Sequence, residues 1–195
     1  YLYYGCSNVV IDSNTVSGNS RGISAYQYNN NAQITNNYIF NNSNYGIYFD
    51  TYNDNIIITG NIISNNGDYG IRLSNYNDNT QIYSNVIKGH SSYGIKLYAG
   101  YGDIIGNTII NNSDYGIYLR AYDGDCLVRN NTIDGNSNYG LYWISNSYSA
   151  YTLDATNNSI TNNQQGIYCE NGSNYNTIGY NNSWNNSNGN YEGSL

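Results

Sequence analysis

The chain has 195 residues, a formal net charge of -7 and a pI near 4.2, and only 10% of its residues are charged. This acidic balance excludes a nucleic-acid-binding protein, because such proteins need basic patches. No apolar run reaches the ~18 residues of a membrane-spanning helix, so we expect no membrane span. Low charge alone is typical of disorder, but regularly spaced Ile, Val and Leu residues indicate a continuous core.

A repeat of about 24 residues runs through the whole chain. The tripeptide Asn-x-Ile/Val, with some variation, begins each copy, and a Tyr-Gly-Ile motif follows nine or eight residues later. The first anchor is found at Asn14, Asn37, Asn61, Asn85, Asn107, Asn131, Asn158 and Asn182, and the second at Gly22, Gly46, Gly70, Gly94, Gly116, Gly140 and Gly166. A fixed period of this length is typical of solenoid proteins.

Each copy contains three short runs in which apolar and polar residues alternate. In the copy that covers 61–84, Ile71 and Leu73 share one face of a run, Ile82 lies in the next run, and Ile63 lies in the third. Short alternation broken by Asn, Gly and Asp indicates strands rather than helices. We therefore predict an all-β fold, a right-handed single-stranded parallel β-helix of about eight turns with three strands per turn.

With these anchors and columns, the sequence resembles the parallel β-helix repeat superfamily over essentially its whole length. That superfamily includes pectate-lyase-like enzymes, periplasmic copper-maturation proteins and archaeal surface proteins, so the resemblance implies an architecture and no particular activity. Hydrolases of this fold carry close Asp residues with Gly-His-Gly and Arg-Ile-Lys phrases. Here, Gly89-His90-Ser91 and Ile95-Lys96-Leu97 match those phrases only in part. We predict no catalytic residue and no enzyme, and we expect His90 to be a surface histidine.

The anchor asparagines are expected to lie at a strand corner, because Asn tolerates left-handed backbone angles. Their amides carry both donors and an acceptor, so they are also expected to hydrogen-bond along the stack of turns.

Residues 1–195 are interpreted as a single β-helix domain that begins and ends in the middle of a turn. Neither end shows an evident cap, and 191–195 is interpreted as a degenerate Tyr-Gly-Ile anchor. Without an initiator Met or a signal peptide, the chain is interpreted as a mature or excised segment. Two hypotheses follow: whole turns dock head-to-tail into an open filament, or the segment belongs to a longer β-helix whose caps lie elsewhere.

Tyrosines recur at three positions of the repeat. The first column is Tyr45, Tyr69, Tyr93, Tyr115 and Tyr139; the second is Tyr48, Arg72, Lys96, Tyr118, Tyr142 and Tyr168; a looser third is Tyr28, Tyr52, Tyr76, Tyr101 and Tyr122. Stacked rings attract one another, and Arg72 or Lys96 between them adds cation–π attraction. Three interpretations stay open: the columns stabilise the solenoid, pack rods side by side, or bind sugars.

Acidic residues recur in one predicted loop column, with Asp54, Asp78, Asp103 and Asp125 as its members alongside Asp123. Oxygen ligands of this kind suit Ca²⁺ between turns, but Asp is also a common turn residue. We therefore predict no cofactor and keep these four residues as weak calcium candidates.

The three cysteines lie in different copies. Cys126 and Cys169 are predicted to be buried small apolar residues, and Cys6 is the candidate for an intermolecular disulfide. Asn-x-Ser/Thr sequons mark possible N-glycosylation at Asn41, Asn111, Asn130, Asn157, Asn171, Asn181 and Asn185. Together these features predict an extracellular or cell-surface location.

From the sequence we predict an extracellular structural β-solenoid that self-assembles head-to-tail into a filament, sheath or surface layer, with lateral packing of rods as an additional hypothesis. Its partners would be copies of itself. The alternative is a carbohydrate-binding or polysaccharide-processing β-helix domain of a larger secreted protein, with glycans as its partners.

Overall fold

The computed structural model describes residues 1–99, 101–122, 124–145, 151–170 and 176–193, and of Ala99 only the backbone. These residues form three parallel β-sheets, and no α-helix occurs among them. One sheet has nine strands and the other two have eight each, which confirms the predicted all-β solenoid with three strands per turn. The described part of the chain thus contains no helix that could cross a membrane.

Sheet A, the nine-stranded sheet, contains the residues that follow each Tyr-Gly motif. Its strands are Leu2–Tyr4, Ile23–Gln27, Ile47–Phe49, Ile71–Leu73, Ile95–Ala99, Ile117–Ala121, Tyr139–Ser145, Gln165–Glu170 and Tyr191–Gly193. Sheet B consists of Val10–Asp12, Gln33–Thr35, Ile57–Thr59, Thr80–Tyr83, Gly102–Ile105, Cys126–Arg129, Leu153–Thr156 and Thr177–Gly179. Sheet C consists of Thr15–Ser17, Tyr38–Phe40, Ile62–Ser64, Val86–Lys88, Thr108–Ile110, Thr132–Asp134, Ser159–Thr161 and Asn182–Trp184.

The core is a set of apolar columns that run through successive turns. Ile47, Ile71 and Ile95 stack in register in sheet A, and each is fully buried. Ile58 and Ile82 do the same in sheet B. Because every turn presents the same residue type at the same place, the hydrophobic pattern and the parallel register specify each other.

Two long ladders of buried amides line the corners of the solenoid. The first asparagine ladder joins Asn14, Asn37, Asn61, Asn85, Asn107, Asn131, Asn158 and Asn181, and the second joins Asn19, Asn42, Asn66, His90, Asn112, Asn136, Asn163 and Asn186. At a typical rung, Asn61 donates its backbone N–H and its Nδ2 to Oδ1 of Asn85, at 2.9 and 3.0 Å. The predicted hydrogen bonding along the stack is thereby confirmed.

The backbone prediction for these asparagines was wrong by one residue. The left-handed angles belong to the residue that precedes each ladder position, such as Asn36 at φ 54° and Asn130 at φ 58°. A left-handed residue turns the chain sharply, and the following Asn then points its amide into the corner where the next turn can reach it.

The last repeat also has a different register from the predicted one. Asn181, and not Asn182, accepts the hydrogen bonds from Asn158, while Asn182 begins the next strand. Tyr191 pairs with Ile167 and therefore occupies the column of the isoleucines. The alignment on Asn-x-Ile failed here because Asn-Asn offers two equivalent starting points and Ser183 stands where the other copies have Ile or Val.

The glycine of the Tyr-Gly-Ile motif is required by close approach of the backbone. A Cβ at Gly70 would lie 2.6 Å from the carbonyl oxygen of Gly94 and 2.6 Å from a methyl group of Ile87. Consecutive turns therefore touch at this corner, and only a residue without a side chain fits.

Candidate functional site

The outward surface of sheet A, with the turn that leads into it, carries most of the predicted tyrosines. We call it the tyrosine face and define it as Tyr45, Tyr69, Tyr93, Tyr115, Tyr139, Tyr48, Arg72, Lys96, Tyr118, Tyr142 and Tyr168, all half-buried. Strand register places Tyr48, Arg72 and Lys96 side by side in adjacent turns, as predicted. The face thus runs along the solenoid axis, with rows of strands about 4.8 Å apart.

The rings of this face contact one another from turn to turn. The centroids of Tyr45 and Tyr69 are 5.4 Å apart with an interplanar angle of 15°, and those of Tyr115 and Tyr139 are 5.2 Å apart at 14°. Between them, Tyr93 meets Tyr115 edge to face at 4.7 Å. Offset and edge-to-face geometries are the favourable ones for aromatic rings, so the columns stabilise the stack of turns.

The two cations of the face, Arg72 and Lys96, lie against its rings. The ammonium of Lys96 is 4.9 Å from the Tyr93 centroid and 5.4 Å from that of Tyr118, and the Arg72 guanidinium is 5.4 Å from that of Tyr69. These contacts confirm the predicted cation–π attraction. Arg72 also donates a hydrogen bond from Nη1 to Oη of Tyr45 at 2.9 Å.

Two further cations on this side were not singled out in the sequence. Arg21 lies 4.6 Å from the Tyr48 centroid, and Arg120 lies 4.9 Å from that of Tyr122. A signal existed for Arg21, which precedes Gly22 as a tyrosine precedes the next glycine anchors. Of the six Lys and Arg residues of the chain, only Lys88 and Arg129 lie elsewhere, on sheets C and B. Arg129 pairs there with Asp154.

The electrostatics of the tyrosine face follow from partial burial. Desolvation raises the pKa of Tyr118 to about 12 and also raises the pKa of Tyr48 and Tyr69. These three phenols therefore stay neutral donors at ordinary pH. Burial also raises the pKa of the Asp68 carboxyl, although Arg72 and Lys96 act in the opposite direction.

Two glutamates lie at the C-terminal end of the same face. Tyr142 Oη donates a hydrogen bond to Glu170, and Glu192 follows Tyr168 in the outward column. This end of the face therefore carries negative charge, whereas Arg72 and Lys96 lie in the middle turns, with Asp68 beside them.

His90 is completely buried, so the expectation of a surface histidine was wrong. It takes the place of an asparagine in the second ladder, because it follows Asn85 by five residues as Asn66 follows Asn61. Its Nδ1 accepts the N–H of Asn66 at 3.1 Å, and Nε2 lies 3.2 Å from the carbonyl oxygen of Ile63. Burial lowers the pKa of His90 to about 4, so the ring is neutral and structural.

The four weak calcium candidates do not share one column, which corrects the predicted acidic column. Asp54 and Asp78 are adjacent, with the Asp78 N–H 3.1 Å from Oδ1 of Asp54, but Asp103 lies on a strand opposite Gln81. Asp125 accepts the Thr152 N–H at 2.8 Å, and Asp123 falls outside the described residues. The columns diverge because the copy after Asn85 is shorter, at 22 residues. Among the described residues, no three His, Cys, Asp or Glu side chains converge on a metal position.

Cys126 and Cys169 are fully buried, as predicted, and Cys6 is exposed. Its intermolecular disulfide stays a prediction. Among the sequons, Asn41, Asn111, Asn130, Asn157 and Asn185 are exposed, whereas Asn171 lies outside the described residues. Asn181 differs, because its amide is part of the first ladder and donates to the carbonyl oxygen of Ala155 at 2.8 Å. A glycan on that nitrogen would displace the ladder contact.

The third tyrosine column forms a separate exposed corner. Tyr28, Tyr52 and Tyr76 all have left-handed backbone angles, near φ 58–59°, and stack nearly parallel at 5.4 and 5.1 Å. The adjacent Asn29, Asn53 and Asn77 extend a third, shorter amide ladder. The predicted column is therefore continuous for these three rings, while Tyr122 instead contacts Tyr98 at 6.1 Å.

Solved structures that share this fold include alginate and mannuronan epimerases. The periplasmic alginate epimerase AlgG matches with 19% identity and a TM-score of 0.75 over 99% of this chain and 47% of that one. A single mutant and a double mutant of that enzyme match with 20% identity and TM-scores of 0.79 and 0.81, over 92% of this chain and 46% of theirs. The A-module of the mannuronan C-5 epimerase AlgE6 from Azotobacter vinelandii matches with 16% identity and a TM-score of 0.53, over 96% and 58%.

At these identities the likeness shows the fold alone, and the chain spans about half the length of these structures. A search of curated protein sequences finds no matching relative. The family model described as "Right handed beta helix region" matches residues 2–124 and 100–193. The chain therefore belongs to the right-handed β-helix family, as its sequence resemblance implied.

Proposed function

We propose that the tyrosine face binds an acidic polysaccharide. The observation that carries this proposal is the gathering of Arg21, Arg72, Lys96 and Arg120 against tyrosine rings in a chain of net charge -7. Sugar rings stack on aromatic side chains, and carboxylates of a uronic-acid polymer pair with Lys and Arg. The face presents both kinds of contact in successive turns, as a linear polymer requires.

The fold comparisons support the same class of ligand. The similar structures are epimerases of alginate and of mannuronan, which are uronic-acid polymers. They favour the carbohydrate hypothesis over the self-assembling filament, which they do not support. Filament formation stays a prediction for electron microscopy. Since AlgG is a periplasmic protein, we also infer a secreted or periplasmic location for this chain.

Binding to alginate, measured by isothermal titration calorimetry at low salt, tests the proposal. The double variant Arg72→Gln/Lys96→Gln should weaken binding about tenfold or more, because two charge-assisted contacts are lost. The matched control is Lys88→Gln/Arg129→Gln, which removes the same charge from the other two sheets and should leave the affinity within about twofold. Failure of the wild-type protein to bind alginate, or equal losses in both variants, contradicts the proposal.

Polysaccharide processing on the same face is a second candidate. It is favoured by the Asp68 carboxyl, whose raised pKa and proximity to Arg72 and Lys96 suit proton transfer next to a bound carboxylate. Incubation with polymannuronate, followed by proton NMR of the sugar composition, tests it. An unchanged spectrum after prolonged incubation limits this chain to binding.

A further inference from the structure

A separate cavity of about 390 Å³ lies at the C-terminal end of the tyrosine face. It is lined by Asn138, Tyr139, Gln164, Gln165, Asn188, Tyr191 and Glu192, and we call it the Gln165 cavity. Its volume lies within the ~300–1,000 Å³ range of small-molecule sites.

The cavity exists because the first tyrosine column ends in progressively smaller side chains. Tyr139 pairs in register with Gln165. The next position is Gly189, since the Gly166 N–H donates to the carbonyl oxygen of Gly189 at 2.9 Å, just as the Gly116 N–H donates to that of Tyr139 at 2.8 Å. Where earlier turns repeat tyrosine, this column continues with Tyr139, then Gln165 and then Gly189. The side chains become smaller in each turn, and this leaves space next to Tyr139.

The Tyr139 ring borders this space. It stacks on Tyr115 at 5.2 Å and 14°, and Tyr142 meets it edge to face at 5.2 Å. Tyr168 of the next turn meets it at 5.3 Å and 59°, while Gln165, at the column position of Tyr139 in that turn, supplies an amide. An aromatic ring beside amide donors and acceptors is the usual environment for a pyranose, whose C–H face packs on the ring while its hydroxyls hydrogen-bond.

The charge of the lining selects against acidic sugars. Glu192 is its one charged member, and none of the seven lining residues is Lys or Arg. Glu170 lies nearby, with its partner Tyr142 next to Tyr139. A uronate carboxylate placed here would meet like charge without a compensating cation, whereas hydroxyl groups can donate to the Glu192 carboxylate.

We propose that the Gln165 cavity binds a single uncharged pyranose ring. The site extends the proposed function of the tyrosine face by a second ligand class, and each can fail without the other. An acidic polymer that carries neutral sugars, or ends in one, would contact both sites at once.

The test is saturation-transfer NMR with the methyl glycosides of glucose, galactose and mannose, each compared with methyl glucuronide. At least one neutral glycoside should receive saturation from the wild-type protein, and methyl glucuronide should receive less. The variant Gln165→Tyr continues the tyrosine column into the cavity and should reduce the neutral-glycoside signal about tenfold. The variant Tyr139→Leu removes the aromatic ring itself and should also reduce the neutral-glycoside signal about tenfold.

Gln33→Tyr is the matched control, because it adds the same side chain to an exposed position of sheet B. It should leave the signals unchanged. The proposal is overturned if no neutral glycoside receives saturation, or if folded Gln165→Tyr and Tyr139→Leu proteins retain the wild-type signal. Alginate binding by the Gln165→Tyr protein, measured in parallel, shows separately whether the acidic-polymer site is intact.

Discussion

The two long amide ladders have the same geometry and differ at one residue. In the first asparagine ladder, Oδ1 of Asn85 accepts two hydrogen bonds from Asn61, at 2.9 and 3.0 Å. In the second, Nδ1 of His90 accepts only the backbone N–H of Asn66, at 3.1 Å. In both ladders the residue in the next turn supplies an acceptor to the backbone N–H of the residue before it. The carboxamide oxygen of Asn85 satisfies two donors, whereas the imidazole nitrogen of His90 satisfies one.

The first ladder should respond most strongly to the loss of one rung. Asn107→Ala removes the Oδ1 that accepts both the N–H and the Nδ2 of Asn85. The backbone N–H of Asn85 and one N–H of its Nδ2 are left without a partner, while Nδ2 keeps its bond to the Ile58 carbonyl oxygen. We therefore expect the free energy of unfolding to fall by about 4 kcal/mol. Guanidinium unfolding followed by circular dichroism measures the change. A loss below about 1 kcal/mol would show that water replaces the missing acceptor.

The second ladder should be sensitive to acid where the first is not. Because the pKa of His90 is about 4 in the folded chain against an ordinary value of 6.5, unfolding takes up a proton between these values. Stability should therefore fall as the pH drops from 6.5 toward 4, by up to about 3 kcal/mol from this residue. Protonation also places a hydrogen on Nδ1, facing the Asn66 N–H.

The matched variant for this prediction is His90→Asn, which makes the second ladder like the first. It should gain about 1 kcal/mol at pH 7, from the restored second hydrogen bond, and lose less stability between pH 6.5 and 4 than the wild-type protein. Guanidinium unfolding at pH 7 and pH 4.5 measures both effects. Identical pH slopes in the two proteins would refute the role of His90.

The smallest effect concerns the last rung of the first ladder. Asn181→Ala removes the acceptor of Asn158 and should cost about 1 kcal/mol, whereas Asn182→Ala changes an exposed strand residue and should stay within about 0.5 kcal/mol. Thermal unfolding of the two variants compares them directly. The reverse order would restore the register that the Asn-x-Ile pattern predicted.

The features that repeat in every copy could be predicted from the sequence. The features that depend on a single residue departing from the repeat were predicted less well. The stacking of Ile47, Ile71 and Ile95 follows from identical residues at identical spacing. The second ladder is also present in the sequence, as a constant interval of five residues from each first-ladder Asn, but His90 interrupts the run of asparagines that would have predicted it. The Gln165 cavity required three-dimensional information, since its shape depends on the register of Gly189 and Tyr191 in a degenerate last copy.

The closely spaced rings of the tyrosine face have an optical consequence. Neighbouring phenols at 4.7–5.4 Å are close enough for electronic excitation to pass repeatedly from ring to ring. Trp143 lies beneath them, buried in the strand that carries Tyr142, and absorbs at lower energy. Light absorbed by a tyrosine anywhere along the columns should thus emerge as tryptophan fluorescence, depolarised by its passage along the solenoid.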